Sequence, residues 1–381
     1  MRFSVDAHAI GCHLTGNEVY IRNLLNEFAH LDQDSHVVAY ISKPNAPEFI
    51  PKRFETRWVS DNPYKRLAWD MPRHVAHDHP DLLHVQYTGP LGTSVPLVVS
   101  IHDVSYLEHP EYFSTFRATQ LKLTVKRTAE RAAKILTPSE FSKTAIMRHY
   151  GIEDERVVVV PNAVSSQFVP MDRNQAQARI QRKLGIPAPF VLTIGDLQPR
   201  KNHMGLLHAF EQVIASHPKL PHHLVFAGKE TWYSPRLHEA VAKSKVADRI
   251  HFTGFVEDED VVTLYGACDL FVYPSFYEGF GLPILEAMAC GRAVACSNAT
   301  AMPEVAGSAA LLFDPKNTEE MAHMICDALL NPDVRTRLEL LGPQHAATFS
   351  WEKAAAETLN VYYEVAGAAR RVEVAVKAGV A

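Results

Sequence analysis

Short apolar runs alternate with longer amphipathic stretches along almost the whole chain. Runs bounded by turn residues read as buried strands, and stretches with apolar positions every three or four residues read as helices. In the first half, strands are expected at 2–7, 36–42, 55–60, 82–87, 97–102, 134–137 and 156–161. Helices are expected at 16–30, 64–76, 115–132 and 139–149, the last with Ser139 as N-cap after Pro138. The second half repeats the arrangement, with strands at 190–194, 223–227, 249–253, 269–273, 293–296 and 310–313. Its helices are expected at 204–216, 257–267, 283–289, 318–330 and 334–342. Such alternation predicts an α/β class with parallel sheets covered on both faces. Two doubly wound halves of similar size would form a cleft, with ligands outside the carboxyl ends of the strands.

A polar, proline-bounded stretch separates the halves. We expect a Rossmann-like domain over 1–165, a linker with a short helix over 166–189, and a second Rossmann-like domain over 190–350. A closing helix over 351–371, with Ser350 as N-cap, precedes an Ala/Val-rich tail at 372–381 expected to fray.

Composition narrows the class. The 381 residues are 47% hydrophobic and 21% charged, as in an ordinary globular protein. A net charge of −5 argues against wholesale nucleic-acid binding, and no nucleic-acid partner is expected. No apolar run reaches membrane-spanning length. The start, MRFSVDAHAI, reads as a strand and lacks the charged and apolar regions of a signal peptide, so a cytoplasmic location is expected. The cysteines, Cys12, Cys268, Cys290, Cys296 and Cys326, are odd in number and form no CxxC pair, which fits reduced thiols. His77 with His79, and His222 with His223, lack further ligands at metal spacing and read as surface histidines.

Candidate chemistry concentrates in YPSFYEGFGLPILEAMACGRAVACSNATAMPEV, from Tyr273 to Val305. A buried-strand pattern ends at Pro274-Ser275, and a glycine-bracketed loop follows. Pro283 suits the first turn of a helix, where a missing N–H costs nothing. The loop therefore aims the N–H groups of a helix start above the strand ends, which is an anion site. Glu278 on the loop and Glu286 near the first turn can bond ligand hydroxyls, so the whole suits a phosphorylated sugar or a nucleotide sugar. GDLQPRKN, directly after the first strand of the second half, brings Arg200 and Lys201 to a helix start, where two cations suit a diphosphate. SIHDVSY places His102 and Asp103 at the carboxyl end of a first-half strand. LTGNEVY places Gly16, which permits close phosphate approach, between the first strand and helix; it is not GxGxxG.

The YEGFGLPILEAMACG stretch, with Glu278 and Glu286 separated by seven residues, resembles the donor signature of retaining glycosyltransferases of family 4, which have the GT-B fold. TGNEVY, HD, TPSEFSK and VVPNAV extend the resemblance more thinly over the first half. The resemblance implies an acceptor-binding first domain, a nucleotide-sugar second domain, and a C-terminal helix returning to the first. It implies that Gly195, Arg200 and Lys201 face the donor pyrophosphate, although this chain has Asp196 where some relatives have Arg. It places the Gly16 loop over the diphosphate, Phe255 near the nucleotide base, Glu286 on the ribose and Glu278 on the sugar. His102 would reach the sugar at the reaction centre, with Asp103 orienting His102 or, like Asn17, binding acceptor hydroxyls. The N–H groups at Phe280, Gly281 and Leu282, with Arg200 and Lys201, would stabilise the departing diphosphate, so neither a metal nor another cofactor is expected.

The implied activity is retaining transfer of a hexose, mannose or glucose, to a saccharide or lipid-linked acceptor in glycan assembly, and the PRKN run leans towards GDP-mannose. A sugar-nucleotide epimerase, a sugar-phosphate synthase and a non-catalytic nucleotide-sugar binder remain as alternatives. Arg117, Lys122, Lys126, Arg127, Arg131 and Lys134 crowd one helix, which could touch the inner membrane face peripherally. The plain alternative is a solvated face, because large apolar anchors opposite the cations are lacking.

Overall fold

The computed structural model describes residues 1–12 and 16–374. Leu14 and Thr15 of the first loop, and 375–381 of the tail expected to fray, lie outside the described residues. The chain divides into two compact units, 1–162 with 350–381, and 163–349.

The first unit holds β1 (Arg2–Asp6), β2 (His36–Ile41), β3 (Glu55–Trp58), β4 (Leu82–Gln86), β5 (Leu97–Ser100), β6 (Lys134–Thr137) and β7 (Val157–Val159). They form one parallel sheet in the order β3-β2-β1-β4-β5-β6-β7. The second unit holds β8 (Phe190–Ile194), β9 (His223–Ala227), β10 (Ile250–Gly254), β11 (Leu270–Tyr273), β12 (Ala293–Ser297) and β13 (Leu311–Phe313). Their order is β10-β9-β8-β11-β12-β13, again parallel. Every residue of β4, β5, β11 and β12 is buried, which is why these strands read as predominantly apolar runs, with His84, Gln86 and Ser100 among the few polar positions. The edge strand β3 is polar by contrast.

Four expectations need correction. The 166–189 stretch is not a linker: its Arg173–Leu184 helix, capped by Asp172, buries Ala176 and Ile180 in the core of the second unit. With only Ala176 and Ile180 fully buried among polar neighbours, the helix reads as polar in sequence. The expected 64–76 helix is a short turn (Pro63–Lys65), a π turn (Arg66–Asp70) and a helix (Met71–Asp78). Pro72 has no N–H for the regular ladder, and the Met71 N–H instead reaches back five residues to the Arg66 carbonyl. His222 is buried, not on the surface, with Nε2 3.4 Å from Asp269 Oδ2. The fourth concerns the basic helix, Thr115–Arg131: its outward side carries the large apolar residues Phe116 and Leu123.

The Trp351–Val365 helix packs beside the Gly16–Leu31 helix within the first unit. Ser350 caps it by accepting the Lys353 amide. Tyr362 meets Phe3 and Phe28 edge-on, with ring centroids 5.1 and 5.5 Å apart, and accepts or donates a 2.5 Å bond with His84 Nδ1.

Candidate functional site

In the second unit the site grows from the carboxyl ends of β8 and β11. The chain leaves β8 through Gly195 at φ 154°, where a Cβ would lie 3.1 Å from Lys201 Cε. Gly228, after β9, has φ 155°, and a Cβ there would meet the Gly195 carbonyl oxygen at 2.1 Å. Glycine at both positions lets the two strand ends close and the Lys201 stem lie flat on the turn. Arg200 and Lys201 lie on the tight turn Pro199–Lys201. Asn202 ends that turn in the left-handed region (φ 54°), and its side chain accepts the Gly205 amide at 3.2 Å to start the His203–Ser216 helix.

Glu278 sits between β11 and the Leu282–Ala289 helix. Its oxygens are divided between the two cations: Lys201 Nζ donates to Oε1 at 2.8 Å, and an Arg200 terminal nitrogen lies 2.6 Å from Oε2. The loops are laced together further, as Arg200 donates to the Tyr277 carbonyl (2.6 Å) and its own carbonyl accepts the Phe276 amide (2.9 Å). Lys201 also donates to Tyr273 OH at 2.7 Å and lies 4.9 Å from that ring's centroid. Thr300 Oγ1 accepts the Glu278 amide at 3.1 Å. Burial pushes the Glu278 carboxyl up, but the charges of Arg200 and Lys201 outweigh it and hold the group at about 2. Burial pushes the Lys201 ammonium down, with Glu278 opposing and Arg200 assisting. The two directions agree once the charges are summed. Two cations share one carboxylate, so the anion gains more from the cluster than either cation does, and the triad keeps a surplus positive charge.

Gly281, at φ 114°, precedes the Leu282–Ala289 helix, and Pro283 lies in its first turn. The Phe280 ring turns into the core against Phe349, so the residue offers a ligand its backbone. Glu286 accepts a 2.8 Å bond from Tyr265 OH. Burial raises its carboxyl to about 7, with the tyrosine bond opposing. Phe255 presents an exposed ring with Lys229 Nζ 5.0 Å from the centroid.

The remaining candidates belong to the first unit. His102, just beyond β5, shares a 3.3 Å bond with Gln86 Oε1, which accepts from Nε2. The Tyr20 ring meets it edge-on at 4.7 Å. Burial drops its pKa to about 4, against a small opposing influence of Asp103. Asp103 does not orient His102 by a hydrogen bond: its Oδ1 accepts the Ser105 amide at 2.8 Å. Beneath His102 runs a buried polar chain, in which Ser100 Oγ bonds Tyr20 OH at 2.8 Å and His84 Nε2 at 2.7 Å. Gly16 and Asn17 open the Gly16–Leu31 helix, with open space where a Gly16 Cβ would be. The position in that region that requires glycine is Gly11 (φ 88°), where a Cβ would meet Asn45 Oδ1 at 2.3 Å and whose amide donates to Glu18 Oε1 at 2.7 Å.

Gln86, Tyr20, Tyr265, Tyr273, Thr300 and Gly228 are supporting residues that sequence reading passed over. A polar residue closing an apolar strand was the available signal for Gln86, since parallel sheets gather ligands at strand carboxyl ends. Tyr273 and Thr300 lie in the Tyr273–Val305 stretch and Tyr20 in LTGNEVY, but nothing in the sequence marks them or the rest as partners. Among the described residues, no group of three His, Cys, Asp or Glu side chains is set to hold a metal ion.

The chain is similar to known proteins. The family described as Glycosyltransferase Family 4 matches residues 14–168, and that described as Glycosyl transferases group 1 matches 176–343. The O-antigen chain mannosyltransferase B of Escherichia coli is 36% identical over 265 residues, 70% of this chain and 69% of that protein. The serotype-specific mannosyltransferase WbdA of Escherichia coli is 32% identical over 228 residues, 59% of this chain but 28% of that longer protein. The solved structure of sucrose-phosphate synthase from Thermosynechococcus elongatus has the same fold, with a TM-score of 0.75 and 20% identity over 96% of this chain and 98% of that one.

Proposed function

The chain belongs to glycosyltransferase family 4, with the GT-B fold, and from that premise we propose a retaining hexosyltransferase that uses a nucleotide diphosphate sugar. The observation that carries the reading is the Arg200–Lys201–Glu278 triad. Two cations around one buried carboxylate hold surplus positive charge, and a diphosphate would neutralise it. The mannosyltransferase relatives and the PRKN run favour mannose, with GDP-mannose as donor, over glucose. The acceptor is a saccharide or lipid-linked hydroxyl in polysaccharide assembly.

As the sugar–diphosphate bond breaks, negative charge grows on the leaving oxygens. Arg200, Lys201 and the backbone at Phe280, Gly281 and Leu282 meet that charge, in the role a metal ion fills in other transferases. The acceptor oxygen bonds the sugar carbon on the face the diphosphate leaves, and its proton passes to a diphosphate oxygen. Glu278 holds sugar hydroxyls and is no nucleophile, because both its oxygens are engaged by cations. Glu286 holds the ribose hydroxyls, Gly16 and Gly195 admit the phosphates, and Phe255 lines the base. His102 contacts the donor sugar, and Asn17 and Asp103 serve the acceptor. The two Rossmann-like portions divide the work, the first for acceptor and the second for donor. We place the protein in the cytoplasm, in peripheral contact with the inner membrane face through the basic Thr115–Arg131 helix. Among the described residues no helix is long and apolar enough to cross a membrane.

The test is slow hydrolysis of a panel of nucleotide sugars by wild type and Glu278→Ala, with and without chelator. Release of one nucleoside diphosphate that ignores chelator and vanishes in the variant is expected. Loss of release on chelation would overturn the metal-free mechanism. Neither release nor a nucleotide-induced shift in melting temperature would overturn the donor assignment.

A further inference from the structure

Two helical segments of the first unit, joined by a loop, carry large apolar side chains that meet solvent. The Thr115–Arg131 helix buries Ala118, Val125, Thr128 and Ala129. Its opposite side carries Phe116 and Leu123, seven residues apart and 71% and 65% exposed. The segment 63–78 adds Tyr64 and Trp69, 62% and 65% exposed. Trp69 lies within the π turn Arg66–Asp70, five residues after Tyr64, and both side chains are turned to solvent. A loop holds the two helical segments together. The Leu91 amide donates to the Leu67 carbonyl at 3.0 Å, and Gly89 donates to Thr128 Oγ1 at 2.9 Å. Arg131 donates to the Pro90 and Thr93 carbonyls at 3.3 and 2.7 Å. Leu91 itself is 49% exposed.

The charges around these side chains are nearly all of one sign. Lys65 and Arg73 lie about one turn either side of Trp69, and Arg117, Lys122, Lys126 and Arg131 line the other helix, all exposed. The outward acids on the two segments are Glu130, 3.8 Å from Lys126, and Asp70, which accepts the Ser60 amide at 2.8 Å.

We propose that this face, the Thr115–Arg131 helix joined through Leu91 to the segment bearing Tyr64 and Trp69, docks on an anionic lipid bilayer. It deepens the peripheral-membrane reading and rests on it: the contact is not one basic helix but a platform of two segments with an aromatic half. Scattered exposed leucines need no explanation, but five large apolar side chains ringed by cations do. Trp and Tyr suit the headgroup level, where the ring meets hydrocarbon and the polar tip stays wet. The cations then meet lipid phosphates. A second copy of the chain fits worse, because a two-fold contact through this face would set the same cations against each other.

The full chain would be sedimented with vesicles of phosphatidylcholine, alone or mixed with phosphatidylglycerol, while tryptophan emission is recorded. Binding to the mixed vesicles alone is expected, reversed by salt, with a blue shift lost in Trp69→Phe. Partitioning should weaken at least about tenfold in Tyr64→Ser/Trp69→Ser and about as much in Lys122→Glu/Lys126→Glu. Circular dichroism and melting of each variant would exclude loss of fold. Unchanged binding in the aromatic variant, with loss in Phe116→Ser/Leu123→Ser, would overturn the platform and leave the basic helix as sole contact. No binding by wild type would overturn both. Equal binding to pure phosphatidylcholine would overturn the electrostatic part. Self-association of wild type that the aromatic variant abolishes would assign the face to a second copy instead.

Discussion

Glu278→Gln tests the charge accounting of the triad directly. In the folded chain the carboxyl is held at about 2 against an ordinary 4.5, because two cations favour its charged form over the cost of burial. A depressed pKa contributes stability that is present above the unfolded value and fades as pH falls through the folded one. The shift corresponds to about 3 kcal/mol at neutral pH, of which about 2 kcal/mol is gone by about pH 3. The glutamine keeps the shape but leaves Arg200 and Lys201 without their shared anion, and breaking a buried pair in this way costs about 3–5 kcal/mol. Hydrogen exchange of the β11 and β12 amides reads the opening of the second unit separately from the first. Wild type should lose about 2 kcal/mol more than the variant between about pH 7 and pH 3, and the variant should open more readily at neutral pH. Parallel pH dependences for the two proteins would show that Glu278 is not held by the cations and would refute the reasoning. A nucleoside diphosphate should restore part of the variant's lost protection, since it supplies the missing negative charge.

Further outcomes follow from the neighbouring groups. Burial holds Glu286 at about 7, so if the ionised form accepts ribose hydroxyls, nucleoside diphosphate affinity should rise about tenfold from about pH 6 to pH 8; calorimetry should find this slope missing in Glu286→Gln. His102 has a pKa of about 4 and is neutral across the working range, so Gln86→Glu, by placing a carboxylate on Nε2, should raise that pKa and add an acid-side limb to the kcat profile. An unaltered profile would exclude Gln86 as the group that positions His102. Tyr362→Phe strips the partner from buried His84 Nδ1 and should cost about 1–3 kcal/mol in denaturant unfolding of the first unit, with no change in donor affinity.

The fold was largely legible because its central strands are buried on both faces and therefore mainly apolar, as at 97–99 and 270–273. The short helix expected within 166–189 was found, but its place in the core of the second unit was not legible, since a helix that fully buries only Ala176 and Ile180 carries almost no periodic signal. The π turn was hidden for a different reason: Pro72 announces a break but not how the ladder heals around it. In the site, Glu278, Arg200 and Lys201 stood out because charges beside glycine turns after apolar strands are locally conspicuous. Their mutual bonds were not, because 77 residues separate Lys201 from Glu278 and only the pairing of β8 with β11 unites them. Tyr265 under Glu286 and Gln86 under His102 lie 21 and 16 residues from their partners, on different elements, so their roles emerge only from packing.

The Trp351–Val365 helix makes the first unit discontinuous, and this bears on the order in which the chain matures during synthesis. The second unit is one uninterrupted segment, 163–349, and can close as soon as it leaves the ribosome. The first unit begins earlier but waits for Tyr362, which seals Phe3 and Phe28 and satisfies His84. Residues 163–349 must be made in between, an interval of about 10–40 s at about 5–20 residues per second. Throughout that time β1 and the Gly16–Leu31 helix hold an apolar seam open to other nascent chains, so the part translated first is the part completed last.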